Sequence, residues 1–403
     1  MTDLSTREFG GARFGRLAEN LLRRAAGGIE VGYLSVKLPS GGTLTFGNTE
    51  HPLRAHLHVH SWNLLWRLAA GWDIGFAESY FEGEWSSPHL PTLIELIARN
   101  EGLASWRWRG FLRPLTTLHH LLNRNTRRGS RRNIAAHYDL GNAFYELWLD
   151  RSMMYSSAIY RYRGQTLEDA QQEKLDRIMS LLQLTGGENV LEIGIGWGAL
   201  AERILGQPGV DFCGLTLSPQ QLAYTRKRLR GFEAARRCDL RLQDYRDVTG
   251  TYDRIVSIEM LEAVGESYWP TYFSKLRESL SRDGIAVLQV ITIAESAFEN
   301  YRRYPDFIQR HIFPGGMLPT AELLRTQIER AGMRLVYEEF FGSSYARTLS
   351  DWRHSFRAHL SAIEGLGFDA HFQRMWDYYL SYCQAGFNSG RLDVGLYKLA
   401  HAS

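Results

Sequence analysis

The stretch Asn189-Val190-Leu191-Glu192-Ile193-Gly194-Ile195-Gly196-Trp197-Gly198 decides how the chain is read. Its first five residues form a short, largely apolar run typical of a buried strand. Three glycines follow at alternate positions and a helical pattern begins at once. Strand, glycine turn and helix, in that order, cradle an adenosine-bearing cofactor, because residues without Cβ let the backbone approach a ligand closely. Gly194, Gly196 and Ala199 also satisfy the dinucleotide spacing G-x-G-x-x-G/A, so a nicotinamide or flavin reading stays open. Two features weigh against it. The end of the next strand carries Thr216 instead of the Asp or Glu that would hold a dinucleotide ribose, with Gln221 the nearest side chain able to reach one. An acid stands before the glycines instead, at Glu192, where it suits a ligand carrying a sulfonium and an amino group, S-adenosylmethionine.

Outward from the turn, the pattern is that of strands alternating with helices. Upstream, Thr166 and Asp169 form a capping box, and Leu175, Ile178, Met179 and Leu182 recur at helical spacing in a helix expected to end by Gly186-Gly187. Downstream, the strand Phe212–Leu217 runs into Ser218-Pro219-Gln220-Gln221, which offers an N-cap, a proline at N1 and a capping-box partner. Further strands are expected at Leu240–Gln243, Arg254–Ile258 and Ile285–Ile291, with Arg334–Phe341 and Val394–Leu399 closing the sheet. The fold class is therefore α/β: a Rossmann-like, class I methyltransferase sheet of seven strands with a smaller mixed α/β N-terminal domain.

A chain of 403 residues exceeds the roughly 150 of one domain, and we divide it into 1–125, an N-terminal domain, and 126–403, the domain that carries the glycine turn. The change of texture comes near Asn133. Hydrophobic residues at 44% and charged residues at 23% exclude a disordered or collagen-like chain, and no apolar run of about 18 residues exists to span a membrane. The start, Met1 to Gly15, is charged and lacks a secretory pattern, so a cytoplasmic location is expected. Cys213, Cys238 and Cys383 show neither disulfide nor zinc spacing. His56, His58 and His60 alternate at strand spacing without an acidic or cysteine partner, so no metal site is expected.

The net charge of +3 conceals a local imbalance. No acid occurs between Glu101 and Asp139, while Arg107, Arg109, Arg113, Arg124, Arg127, Arg128, Arg131 and Arg132 are interleaved with Trp106, Trp108 and Phe111. Such a strip is either a solvated linker face or a surface for anionic lipid; the small overall charge argues against nucleic acid.

Beyond the glycine turn, a series of motifs resembles the cyclopropane-fatty-acyl-phospholipid synthases and their mycolic-acid-modifying relatives. It comprises His137-Tyr138-Asp139-Leu140-Gly141-Asn142, Met154-Tyr155-Ser156, Leu191 to Gly198, Gly214 to Ser218, Gln243 to Asp247, Glu259-Met260-Leu261-Glu262, Ile312 to Gly316 and Tyr345 to Leu349. A looser match lies at Asp73 to Tyr80 and Gly83-Glu84-Trp85. The resemblance implies an enzyme, peripheral on the inner face of the cytoplasmic membrane, that moves a methyl from S-adenosylmethionine to a cis double bond of an unsaturated phospholipid acyl chain. Cofactor contacts are implied for Tyr155, Ser156, Gly194, Gly196, Thr216, Leu217 and Gln221, with Gln243, Asp244 and Tyr245 around the adenine; Glu192 and Gly198 join them from the turn itself.

A cation develops on the acyl chain, and aromatic faces suit it; Tyr138, Tyr155, Phe313 and Tyr345 are the candidates. In the family a bound bicarbonate serves as base, held by a cysteine, a glutamate, a histidine, a backbone amide and a tyrosine. Glu262, Tyr345 and the amide of Ile291 match those positions, whereas Ser157 replaces the cysteine, Gln289 the histidine, and Ala263 a further histidine found in many relatives. Ser157 and Gln289 can still hydrogen-bond an anion, but no imidazole remains to titrate near neutrality. The expected product is a cyclopropane fatty acid. The alternatives are a methyl-branched, methylene or furan-precursor chain without ring closure, a non-catalytic lipid- or cofactor-binding protein, and a small-molecule methyltransferase. A homodimer and a partner reductase or desaturase complete the expectations.

Overall fold

The protein was analysed as a computed structural model that describes residues 12–100 and 140–402. Two compact units result, bounded as Met1–Leu115 with Asp369–Ala385, and Thr116–Phe368 with Gly386–Ser403. The arginine strip and the motif residues His137, Tyr138 and Asp139 lie outside the described residues.

In the first unit, β1 (Tyr33–Lys37), β2 (Thr43–Gly47), β3 (Arg54–Val59) and β4 (Trp85–Ser86) form a sheet in the order β2-β1-β3-β4. Alternating burial along β3 turns Ala55, Leu57 and Val59 inward. His56 and His58 therefore face the other side, and His60, just beyond the strand, lies 2.7 Å from the Ser86 hydroxyl. The Asp73–Tyr80 and Gly83–Trp85 motifs build this unit's interior. Trp85 stacks on Phe76 at 4.2 Å, its indole N–H donates to Ser79 Oγ at 2.9 Å, and the Tyr80 hydroxyl donates to Asp377 at 3.0 Å.

The second unit holds β5 (Asn189–Ile193), β6 (Asp211–Thr216), β7 (Cys238–Leu242), β8 (Tyr252–Ile258), β9 (Leu280–Ile293), β10 (Met333–Phe340) and β11 (Leu392–His401). Among the described residues they form one seven-stranded sheet, ordered β10-β11-β9-β8-β5-β6-β7. Strands β5 to β9 are parallel to their neighbours in this group, while β11 and β10 close the edge antiparallel. The chain winds from β5 through β6 to β7 and then returns to β8 on the other side of β5. That reversal opens a crevice at the carboxyl ends of β5 and β8, where open α/β sheets place their ligands. One sheet face buries Leu191, Ile193, Leu215, Ile255 and Leu288 against Trp269, Tyr272, Phe273 and Leu276 of the helix Trp269–Ser279. Among the described residues no disulfide forms, and Cys213 and Cys238 are buried. No described helix is long and apolar enough to cross a membrane.

Candidate functional site

The glycine turn takes the conformation its composition permits. Gly194, Gly196 and Gly198 have φ of 91°, 50° and 82°, in the left-handed region that residues with a Cβ adopt at a cost. The amides of Gly194 and Ile195 donate to Leu215 O at 3.0 and 2.9 Å, which fastens the turn to the end of β6. Thr225 donates to Gly196 O at 3.1 Å, and Trp197 donates its indole N–H to Asn142 at 2.9 Å. Ahead of the turn, Glu192 is buried and its Oε2 has no hydrogen-bond partner among the described residues. Burial alone pushes its carboxyl up to about 8. A buried, unpartnered acid beside a glycine cradle fits a cationic ligand, and it fits S-adenosylmethionine in particular.

At the end of β6, Thr216 donates to the Gln221 side-chain oxygen at 2.9 Å, so the amide N–H2 of Gln221 remains its donor group. Ser218 caps the helix Pro219–Arg228 by accepting the Gln221 amide, as the capping pattern predicts, and Leu217 is half-buried at the junction. Gln243 donates to Asp247 O at 2.7 Å, Asp244 pairs with Arg246 at 2.6 Å, and Tyr245 is a core side chain packed edge-on against Tyr272. Tyr155 stands among Tyr145, Trp148 and Trp352 with ring centroids 5.4 to 5.5 Å away, and the neighbouring Ser156 is buried.

Three of the residues expected to bind an anion, Ser157, Gln289 and Tyr345, converge, but on a residue to which motif reading gave no role. Glu259 follows the last residue of β8 with φ of +48°, a strained conformation for a glutamate, and its amide is held by Gln289 O at 2.8 Å. Its carboxylate accepts the Ser157 amide at 2.8 Å, Gln289 Nε2 at 2.7 Å and the Tyr345 hydroxyl at 2.6 Å. The Ser157 hydroxyl points elsewhere, donating to Ala158 O at 2.9 Å. Glu262 does not share these partners. It accepts the Ile291 amide, at 2.6 Å, and its Oε2 has no partner among the described residues.

Two buried carboxyls whose charges act on one another do not both ionise readily. Glu262 is pushed up to about 8 by burial and then by the charge of Glu259. Glu259 is also raised by burial, but Tyr345, the Ser157 amide, Lys174 and Gln289 all act in the opposite direction. Three donors and the charge of Lys174 favour the ionised form of Glu259, more support than Glu262 has, so of the pair Glu259 is the better supported as a carboxylate. Position gave a signal for Glu259, since it ends a central parallel strand at the crevice; its motif neighbour Glu262 drew the assignment instead.

Residues 125–396 match the family model for mycolic acid cyclopropane synthetase. The chain belongs to that family. A tuberculostearic acid methyltransferase of Mycobacterium tuberculosis is 37% identical over 389 residues, covering 94% of this chain and 89% of its own. The cyclopropane-fatty-acyl-phospholipid synthase of Escherichia coli K12 is 32% identical over 83% of this chain and 85% of its own. The structure of a mycolic acid cyclopropane synthase complexed with SAH and CTAB superposes with a TM-score of 0.63 at 29% identity, covering 67% of this chain and 97% of that one. As a cyclopropane synthetase family member, the protein is a methyltransferase with the Rossmann-like fold expected of it. It uses S-adenosylmethionine and acts on a fatty acyl chain.

Proposed function

We propose that the protein methylates a cis double bond in an unsaturated phospholipid acyl chain and releases a methylene-branched chain instead of a cyclopropane. The observation that carries this reading is the Glu259 carboxylate, which occupies the donors of Ser157, Gln289 and Tyr345. Those are groups expected to hold bicarbonate, so the chain supplies its own anion as the general base.

Bound at the glycine turn, S-adenosylmethionine supplies an electrophilic methyl group on sulfur. The alkene π pair forms the new C–C bond, the C–S pair leaves with sulfur, and a cation remains on the neighbouring carbon of the lipid. A hydride shift from the methyl-bearing carbon moves the charge there. Glu259 then takes a proton from the new methyl, whose C–H pair becomes the C=CH2 double bond of the methylene branch. If proton removal precedes the shift, the same pair closes a ring. Three hydrogen bonds lower the proton affinity of Glu259 and tether it, which slows proton removal and favours the shift. In support, the relative aligned over 94% of this chain is named a methyltransferase and not a cyclopropane synthase.

On the same reading, a hydride-donating reductase completes the methyl branch, and the Arg107–Arg132 strip docks the protein on anionic lipid at the inner face of the cytoplasmic membrane.

The test incubates the protein with methyl-labelled S-adenosylmethionine and vesicles of unsaturated phospholipid, then extracts the acyl chains for mass spectrometry before and after mild hydrogenation. A labelled product that takes up hydrogen is expected. A labelled product of the same mass that resists mild hydrogenation is a ring and overturns the methylene assignment, and absence of label from the lipid overturns the substrate.

A further inference from the structure

Lys174 is a lysine with 1% of its surface exposed, in the interior of a domain where burial of an ammonium requires compensation. It sits on the helix Leu167–Leu182, and its Nζ donates to Ser156 Oγ at 2.7 Å. One turn earlier on the same helix, Gln171 Nε2 donates to Ser156 O at 3.1 Å. Two side chains of one helix thus fix Ser156 from behind, and the next residue, Ser157, presents its amide to Glu259. Lys174 is also the cation whose charge acts on Glu259, and Glu259 is the foremost anion acting on Lys174, ahead of Asp150. The other groups that bear on Glu259 are the Tyr345 hydroxyl, the Ser157 amide, the Gln289 side chain and the Glu262 carboxyl, and none of them supplies a positive charge.

We infer that Lys174 is a positioning residue for the methyl-transfer chemistry: its buried ammonium is the counter-charge that keeps Glu259 ionised, and its bond to Ser156 aims the Ser157 amide at that carboxylate. The inference rests on Glu259 being the base. Loss of the ammonium leaves Glu259 and Glu262 facing each other without a cation, so Glu259 holds its proton to higher pH and fewer molecules are competent at neutrality. Burial also draws Lys174 down to about 8, so its own deprotonation above that pH removes the same support.

The experiment compares pH profiles of kcat for the wild type, Lys174→Gln, Lys174→Arg and Gln171→Met. Lys174→Gln keeps a donor for Ser156 but no charge. Its rising limb is expected at higher pH, with kcat near neutrality down on the order of tenfold and KM for S-adenosylmethionine unchanged. Lys174→Arg restores the limb, and Gln171→Met lowers kcat without moving it. Should Lys174→Gln not fold by circular dichroism, Lys174→Met is read in the same way. An unmoved limb in the uncharged variant, or an equal displacement in Gln171→Met, overturns the inference. Glu259→Gln separates the two readings: full activity there removes Glu259 as the base, whereas lost activity together with an unmoved limb in Lys174→Gln removes the lysine alone.

Discussion

Glu192 and Glu259 lie at the carboxyl ends of neighbouring parallel strands, and burial raises both carboxyls, yet their partners differ. Glu259 has three donors and a cation in support. Glu192 has an unpartnered Oε2, and burial raises its carboxyl from 4.5 to about 8. Without cofactor, the folded state therefore keeps a proton on Glu192 across a window in which the unfolded chain has lost it. The folded state binds more protons there, so stability falls as pH rises from the unfolded value toward about 8. Glu192→Gln removes that slope. In thermal unfolding of the cofactor-free protein, the variant is expected to melt higher than the wild type at about pH 8 and close to it at about pH 5. Its affinity for S-adenosylmethionine is expected to fall. Equal differences at the two pH values would remove this account of Glu192. The acid was legible because it precedes the glycines at a fixed distance. The role of Glu259 was not, because it depends on a left-handed residue that swings one glutamate away from its motif neighbour.

At the scale of elements, the glycine turn makes a separable prediction. A Cβ on Gly198 comes within 2.6 Å of Thr225 Cγ2, whereas one on Gly196 meets nothing within 4 Å. Gly198→Ala is expected to cost about 1–3 kcal/mol of stability in denaturant unfolding, from strain at positive φ plus that clash. Gly196→Ala meets no neighbour and is expected to cost about 1–2 kcal/mol from its positive φ alone, while placing a methyl in the cradle proposed for the ligand. Calorimetric affinity for S-adenosylmethionine is then expected to drop on the order of tenfold; undiminished binding would show that the turn does not touch the ligand. Local patterns located these elements well. The strand Asn189–Ile193 and the caps at Thr166 and Ser218 stand where the sequence places them. The helix after Thr166 stops sooner than its glycines imply, because Gln183 itself turns left-handed. Strand β9 runs Leu280–Ile293, longer than its apolar core, because pairing with β11 continues the ladder to Ile293.

For the molecule as a whole, the question is how a protein without a described spanning helix reaches an acyl chain. The proposed answer is the basic, aromatic strip, and it is testable without knowledge of its conformation. Changing Arg127, Arg128, Arg131 and Arg132 to glutamate is expected to reduce partitioning onto anionic vesicles by on the order of a hundredfold or more in sedimentation, given about 1 kcal/mol per charge. Undiminished sedimentation removes the strip from the account, and added salt should weaken wild-type binding in the same assay. The sequence by itself determined the class of sheet, the succession of its strands along the chain, the glycine cradle and the acid before it, because periodicity, turn residues and caps act over a few neighbouring positions. Only the tertiary structure decided that Asp369–Ala385 belongs with the first compact unit, that Glu259 gathers three donors while Glu262 keeps one oxygen without a partner among the described residues, and that Lys174 is buried against Ser156. Those outcomes depend on which distant side chains the sheet register brings within hydrogen-bond reach and on how far packing excludes water, and neither is a property of any short stretch of chain.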